Sequence, residues 1–189
     1  MIEKALQLTR DVLNQYLQNS FQLNESQVVL NNIIDATGNI PLLNQNKVVI
    51  SLINVEKESL RPFYADSKKT GNGNYADFNP SERYNLHLLI SPQFDNYNET
   101  LKFLNAVILF FQANQVLDST FTAAMPTGIP RLEMDIEKIS YLQMHNLWTA
   151  MGAKYQPSVL YRMRLLTLQA GEVRSFTRSI NTTSSKALA

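Results

Sequence analysis

The chain has 189 residues, 44% of them hydrophobic and 10% aromatic, which suits one domain with a real core and argues against global disorder. Its formal net charge is +1, so it offers no strong field for nucleic acid or an anionic membrane. It has no cysteine, which excludes disulfides, zinc-thiolate sites and thiol catalysis, and suits a reducing compartment.

The opening "MIEKALQLTRDVLNQYL" interleaves charged and apolar residues and lacks the basic-then-apolar order of a secretion signal. Ile2, Ala5, Leu6, Thr9, Leu13, Tyr16 and Leu17 recur at helical spacing and predict an amphipathic helix. "SQVVLNNI" predicts a short strand, and Gly38 and Pro41 then break the chain. "KVVISLINVEKE" is rich in Val and Ile, with apolar residues on both parities, and predicts a central strand covered on both faces. Between Arg61 and Pro80 the periodicity vanishes, and "DSKKTGNGNYADFNP" reads as a mobile loop.

Tyr84, Leu86, Leu88 and Ile90 alternate with Arg83, Asn85 and His87 in the next predicted strand. Asn96, with Glu99 three residues on, then offers a capping-box start for a helix. That helix places Leu101, Leu104, Val107, Ile108 and Phe111 on one side, flanked by Phe103 and Phe110. No apolar run reaches the roughly 20 residues needed to span a bilayer.

"RLEMDIEKI" alternates again, with Leu132, Met134 and Ile136 inward and Glu133, Asp135 and Glu137 outward. A short helix carries Tyr141, Leu142, His145, Trp148 and Met151, and Gly152 is its expected left-handed stop. The last core strand sets Val159, Tyr161, Met163 and Leu165 on one face, with Arg162 and Arg164 on the other. Trp148, Gly152 and Tyr161 are the expected structural core of this region. The predicted architecture is an α/β domain of the α+β kind over residues 1–170. Its mostly antiparallel or mixed sheet has about five strands, with about three helices packed on it. A polar arm, residues 171–189, follows; Arg174, Arg178 and Lys186 make it locally basic, and Phe176 could anchor it in a groove.

Little in the sequence looks reactive. His87 and His145 have no ligand-spaced partner and read as a solvated strand residue and a helix-face residue. No nucleophile motif, H-E-x-x-H or phosphate loop is present, so no catalytic residue, metal or cofactor is expected. Gly71-Asn72-Gly73 lacks the strand and helix that a phosphate loop needs. Glu133, Asp135 and Glu137 read as a solvated sheet face, and two arginines do not make a nucleic-acid stripe. If the acidic and Arg162/Arg164 strands are neighbours, the charges can pair across them. If they are far apart, they are opposite-sign patches available to a partner.

Four segments carry a resemblance: "NNIIDATGN" followed by "KVVISLINVEKESLRPF", then "RYNLHLLISPQFDNYNETLKFLNAVILFFQAN", then "HNLWTAMGAKYQPSVLYRMRLLTL". In this order they resemble the tail-terminator, or cap, proteins of bacterial contractile injection systems, whose particles are related to phage tails. The match is to the N-terminal domain of that family. The resemblance implies a tail-terminator-like fold and a structural, non-enzymatic protein without cofactors. It implies a homohexameric ring on the baseplate-distal end of tube and sheath, where the ring stops polymerisation. It also implies sheath and inner tube proteins as partners, with another cap protein in the adaptor alternative; charge and hydropathy point to neither nucleic acid nor membrane. Assembly would occur in the bacterial cytoplasm, in particles that can be released. Glu133, Asp135, Glu137, Arg162, Arg164, Arg174, Phe176 and Arg178 are the candidate interface residues. Since some members have a longer C-terminal extension, an adaptor ring beneath another cap protein is the alternative. A generic small-ligand binding module or enzyme subunit is the alternative from a different class.

Overall fold

The structure, a computed structural model, describes residues 1–58, 67–69, 75–78, 82–168 and 173–177. Helix α1 spans Ile2–Phe21 and buries Ala5, Leu8, Thr9, Leu13 and Leu17, a stripe at three- and four-residue spacing. The Thr9 hydroxyl inside this stripe donates to the Ala5 carbonyl at 2.9 Å, so its burial leaves no unpaired polar group. Gln22 ends the helix in the left-handed region, at φ 54°. Strand β1, Val28–Leu30, is tied back to α1. The Asn14 side-chain oxygen accepts from the backbone N–H groups of Gln27 and Val28, at 2.7 and 3.2 Å.

A 3-10 turn over Leu42–Asn44 leads into β2, Lys47–Lys57. Strands β3 (Ser67–Lys69) and β4 (Tyr75–Phe78) precede the long β5, Glu82–Gln93. Helix α2 covers Tyr97–Ala113, followed by β6 (Val116–Asp118) and β7 (Arg131–Ile136). Helix α3 covers Tyr141–Ala150, and β8 (Val159–Leu168) and β9 (Val173–Thr177) complete the described elements.

Six strands form one mixed sheet in the order β1-β2-β5-β8-β7-β6. Only β1 runs parallel to its neighbour; the other four pairings are antiparallel. Alternation along the strands then sorts side chains onto two faces. One face carries Val48, Ile50, Leu86, Leu88, Ile90, Leu132, Met134, Tyr161 and Met163, and packs against α1 and α2 in the main core. The other carries Val49, Leu89 and Leu160, which pack with Ile33 and Trp148 in a smaller core beneath α3. The expected α+β domain with three helices on a mixed sheet is thus the observed one. The sheet gains β6, which is too short to show periodicity.

Three details differ from the sequence reading. Helix α2 is rotated: Phe103, Val107, Phe110 and Phe111 point inward, whereas Leu101 is 42% exposed. The three aromatic rings fill more of the space under the helix than leucine does, and Phe103 stacks on Phe94 at 4.4 Å. Strand β2 is covered on both faces only over Val48–Ser51; beyond the irregularity at Leu52/Asn54 it is largely exposed. The stretch read as a loop holds β3 and β4, which form a second sheet with β9 in the order β3-β4-β9. Local periodicity does not reveal such a pairing, because one partner comes from the other end of the chain. In that sheet Phe176 sits opposite Ala76, and Arg174 lies within β9, inside the segment read as a polar arm. Arg178 lies outside the described residues.

Candidate interaction surface

The face away from α1 and α2 is divided in two. Helix α3 covers one half, and the other half is charged. The division follows from register. His87 pairs with Arg162 and Asn85 with Arg164 across β5 and β8, while Asp135 pairs with Arg162 and Glu133 with Arg164 across β7 and β8. Paired residues in an antiparallel sheet share a face, so four strands contribute to one polar band. Its β2 members are Asn54 and Glu56, opposite His87 and Asn85.

Within this band the acids and arginines meet. Arg164 lies 3.5 Å from Glu133 and 3.7 Å from Asp135, and Arg162 lies 3.9 Å from Asp135. Arg131 adds a contact with Glu133 at 2.9 Å. The strands are neighbours, so the two charge sets are spent largely on one another rather than standing apart as patches. Asn85 Oδ1, His87 Nε2 and Arg162 Nε are buried without a hydrogen-bond partner among the described residues.

His87 differs from its sequence reading. It is 8% exposed, not solvated, and its ring lies between two carboxylates. Nδ1 is 2.6 Å from Glu137 Oε2, and Nε2 is 3.3 Å from Glu56 Oε2. Neither partner was visible from spacing, because strand pairing and the chain beyond β7 bring them in. His145 is exposed on α3, as a helix-face residue.

Helix α3 is specified at both ends. Ser140 Oγ accepts from the Gln143 N–H at 3.3 Å, and Gln143 Oε1 accepts from the Ser140 N–H at 2.8 Å, a complete capping box. At the other end Gly152 has φ +69°. Its N–H donates to Thr149 at 3.0 Å, and the Ala153 N–H donates to Trp148 at 3.2 Å, the bond pattern of a Schellman stop. Trp148 is 3% exposed, its ring edge-on to Tyr155 at 5.7 Å and its Nε1 donating to Met144 Sδ at 3.1 Å.

Met144 and Leu147 pack partly on the smaller core, but the start of α3 and the residues after it are open: Tyr141 is 97% exposed, Leu142 68% and, beyond the helix, Tyr155 65%. Beside the helix lies an apolar cleft of about 850 Å³, lined by Ile139, Tyr141, Met144, Trp148, Ala153 and Tyr155. Tyr141, Leu142 and Tyr155 were not among the candidate interface residues, although apolar residues continue right round this short helix, which one packed face does not require.

Tyr161, on the opposite face, is 3% exposed and packs on Phe111. Burial pushes its phenol up to about 12. Two exposed carboxyls are held below their usual range. Asp35 accepts from the Thr37 hydroxyl and the Asn39 N–H, and Asp118 from the Thr120 hydroxyl and N–H. Both fix turns. Among the described residues no cluster of three or more His, Cys, Asp or Glu is placed to hold a metal ion. No helix among them is long and apolar enough to cross a membrane.

No curated protein sequence matches the chain. Solved structures share its fold, two of them as follows. One is the sheath/tube terminator, in its extended state, of PVC, an extracellular contractile injection system. It is 15% identical, has a TM-score of 0.61, and matches over 94% of this chain and 62% of its own. The other is the tube-terminating cap of the anti-feeding prophage, 12% identical with a TM-score of 0.60, matching over 95% of this chain and 60% of its own. This chain thus spans about six tenths of the length of each. The family model of the Pvc16 N-terminal domain matches residues 6–182, nearly the whole sequence, and the chain belongs to that family.

Proposed function

We propose that this protein is a structural terminator of a contractile injection system, acting at the end of tube and sheath. The observation that carries this reading is the fold: nearly all of the chain superposes on two proteins described as tube terminators or caps. The family match over residues 6–182 supports it independently. Tube and sheath proteins are its partners, and the role is structural rather than catalytic. The geometry fits that role, since the carboxylates of the charged band engage arginines and a histidine instead of facing a substrate cavity.

In this reading the protein acts as a ring of identical copies, six in number by its family resemblance. A ring closes through heterologous contacts, in which one patch meets a different patch on the next copy. Glu133, Asp135, Arg162 and Arg164 are poorer candidates for that contact than exposed apolar surface, because they already pair within the chain.

Particles carrying a tagged copy of this chain test the assignment in electron micrographs. Label confined to the baseplate-distal end is expected. Label spread along the sheath, or absent from purified particles, contradicts the proposal.

A further inference from the structure

The charges of the band pair largely within the chain, but two of the exposed apolar features are built on rigid elements. The first is the cleft beside α3. The second is the turn at Leu42 and Leu43, which are 82% and 73% exposed. Adjacent leucines this exposed have no stabilising role in the isolated fold. Yet the turn is held firmly. Asn44 beneath it is fully buried, donates to the Asn32 carbonyl at 2.8 Å and accepts from the Asn31 side chain at 2.9 Å. Pro41 precedes it with φ −58°. The turn is a rigid apolar knob.

Knob and cleft also differ in charge. Residues 31–46 contain one charged side chain, Asp35, and the Thr37 hydroxyl and Asn39 N–H hold its carboxyl below the usual range. Residues 138–158 contain Lys138 and Lys154, both exposed, and no acid. The segment that carries the knob is thus weakly acidic, and the segment that carries the cleft is basic, so the two are opposite in charge. Leu43 borders a groove along β1 and α1, and no residue of 31–46 lines the α3 cleft, although the same segment packs against the end of α3 through Ile33 and Ile34.

We propose that the α3 cleft receives the Leu42–Leu43 turn of a second copy of this chain. The inference rests on the self-assembly reading above and names the surface that would carry it. The contact is head-to-tail, because knob and cleft are different patches, so it propagates to a closed ring rather than stopping at a two-fold dimer. Trp148 and Tyr155 give the cleft an aromatic floor of the kind that dominates binding energy at interfaces. It also explains why α3 is capped at both ends: a docking surface must be rigid before the partner arrives.

The absence of native cysteine makes the test direct. Two single-site proteins, Leu42→Cys and Tyr141→Cys, are mixed at high concentration with a short bis-maleimide, while light scattering follows assembly. Both sites are exposed, so neither substitution threatens folding. The expected result is a cross-linked dimer from the mixture and none from either protein alone. Leu42→Asp is expected to weaken self-association about tenfold or more without changing the melting temperature. Cross-linking within either single protein overturns the proposal in favour of a two-fold contact. Assembly without cross-linking overturns this surface and leaves the ring intact. Absence of larger species at every concentration, and on tubes, overturns the surface and the ring together.

Discussion

His87 and Glu137 tie the middle of the sheet to the approach to α3: the imidazole Nδ1 lies 2.6 Å from the carboxylate Oε2, across fifty positions of sequence. The ring is nearly buried, so Nδ1 depends on Glu137 rather than on water, while Nε2 faces Glu56 without a hydrogen bond. Removing one partner of a buried charge-assisted hydrogen bond leaves the other desolvated. His87→Ala is therefore expected to cost about 2–3 kcal/mol, and Glu137→Gln about 1–2 kcal/mol, because the amide can still accept a hydrogen bond. Urea unfolding at neutral pH reads both. A His87→Ala protein as stable as wild type would show that the pair contributes nothing.

Trp148→Ala removes the floor of the α3 cleft and part of the smaller core, and should cost about 3–5 kcal/mol. Gly152→Val should destabilise for a different reason. At φ +69° a β-branched residue is strained whatever space surrounds it. The added Cβ itself would meet Ile34 at an ordinary 3.6 Å, so backbone strain rather than a clash is the cause. Melting curves of both variants check this. An unchanged melting temperature for Trp148→Ala contradicts the placement of this core.

The regular elements were legible because their information is local. The inward set of Leu132 and Met134, the helix stop at Gly152 and the Asn96 cap all follow from residues within one turn or one strand, whereas Ile136, expected inward with them, is 59% exposed at the end of β7. Asn96 Oδ1 accepts from the Asn98 N–H at 2.9 Å. The Glu99 side chain, expected to complete that box, instead lies 3.3 Å from Lys102. What was not legible depends on distant partners. The β4–β9 pairing joins segments far apart in sequence, and the setting of His87 needs Glu56 and Glu137 from two other parts of the chain. The cross-strand charge pairing could be stated only as a condition, since strand order decides it. The α3 cleft was hidden because an apolar helical face looks the same whether it meets a core or a partner.

Tyr161 gives the fold an alkaline limit. Its phenol is raised from an ordinary 10.0 to about 12 by burial, so the folded state favours the neutral form. The sign follows: this contribution is complete below pH 10 and is lost as pH rises through about 12. The loss should amount to roughly 2–3 kcal/mol. Tyr161→Phe should flatten the stability profile in that window. An identical alkaline profile in the variant would refute the assignment.

The arginine–carboxylate contacts of the charged band should matter less than their number suggests. The side chains of Arg164 and Glu133 are 39% and 25% exposed, so solvent screens their interaction. A double-mutant cycle on Glu133→Gln and Arg164→Met should give a coupling of about 0.2–1 kcal/mol. Neither substitution should reduce self-association as Leu42→Asp does. A large loss of assembly with either one would return the ring contact to this band.

The central claim is that the protein ends tube and sheath growth, and particle length tests it most directly. Injection particles are assembled in matched cells with and without this chain, and their length distributions are measured in electron micrographs. The account predicts that, without it, the narrow distribution broadens and the baseplate-distal ends fray or overrun, and that resupplying the chain restores both. Particles of unchanged length with intact distal ends in its absence would contradict the account.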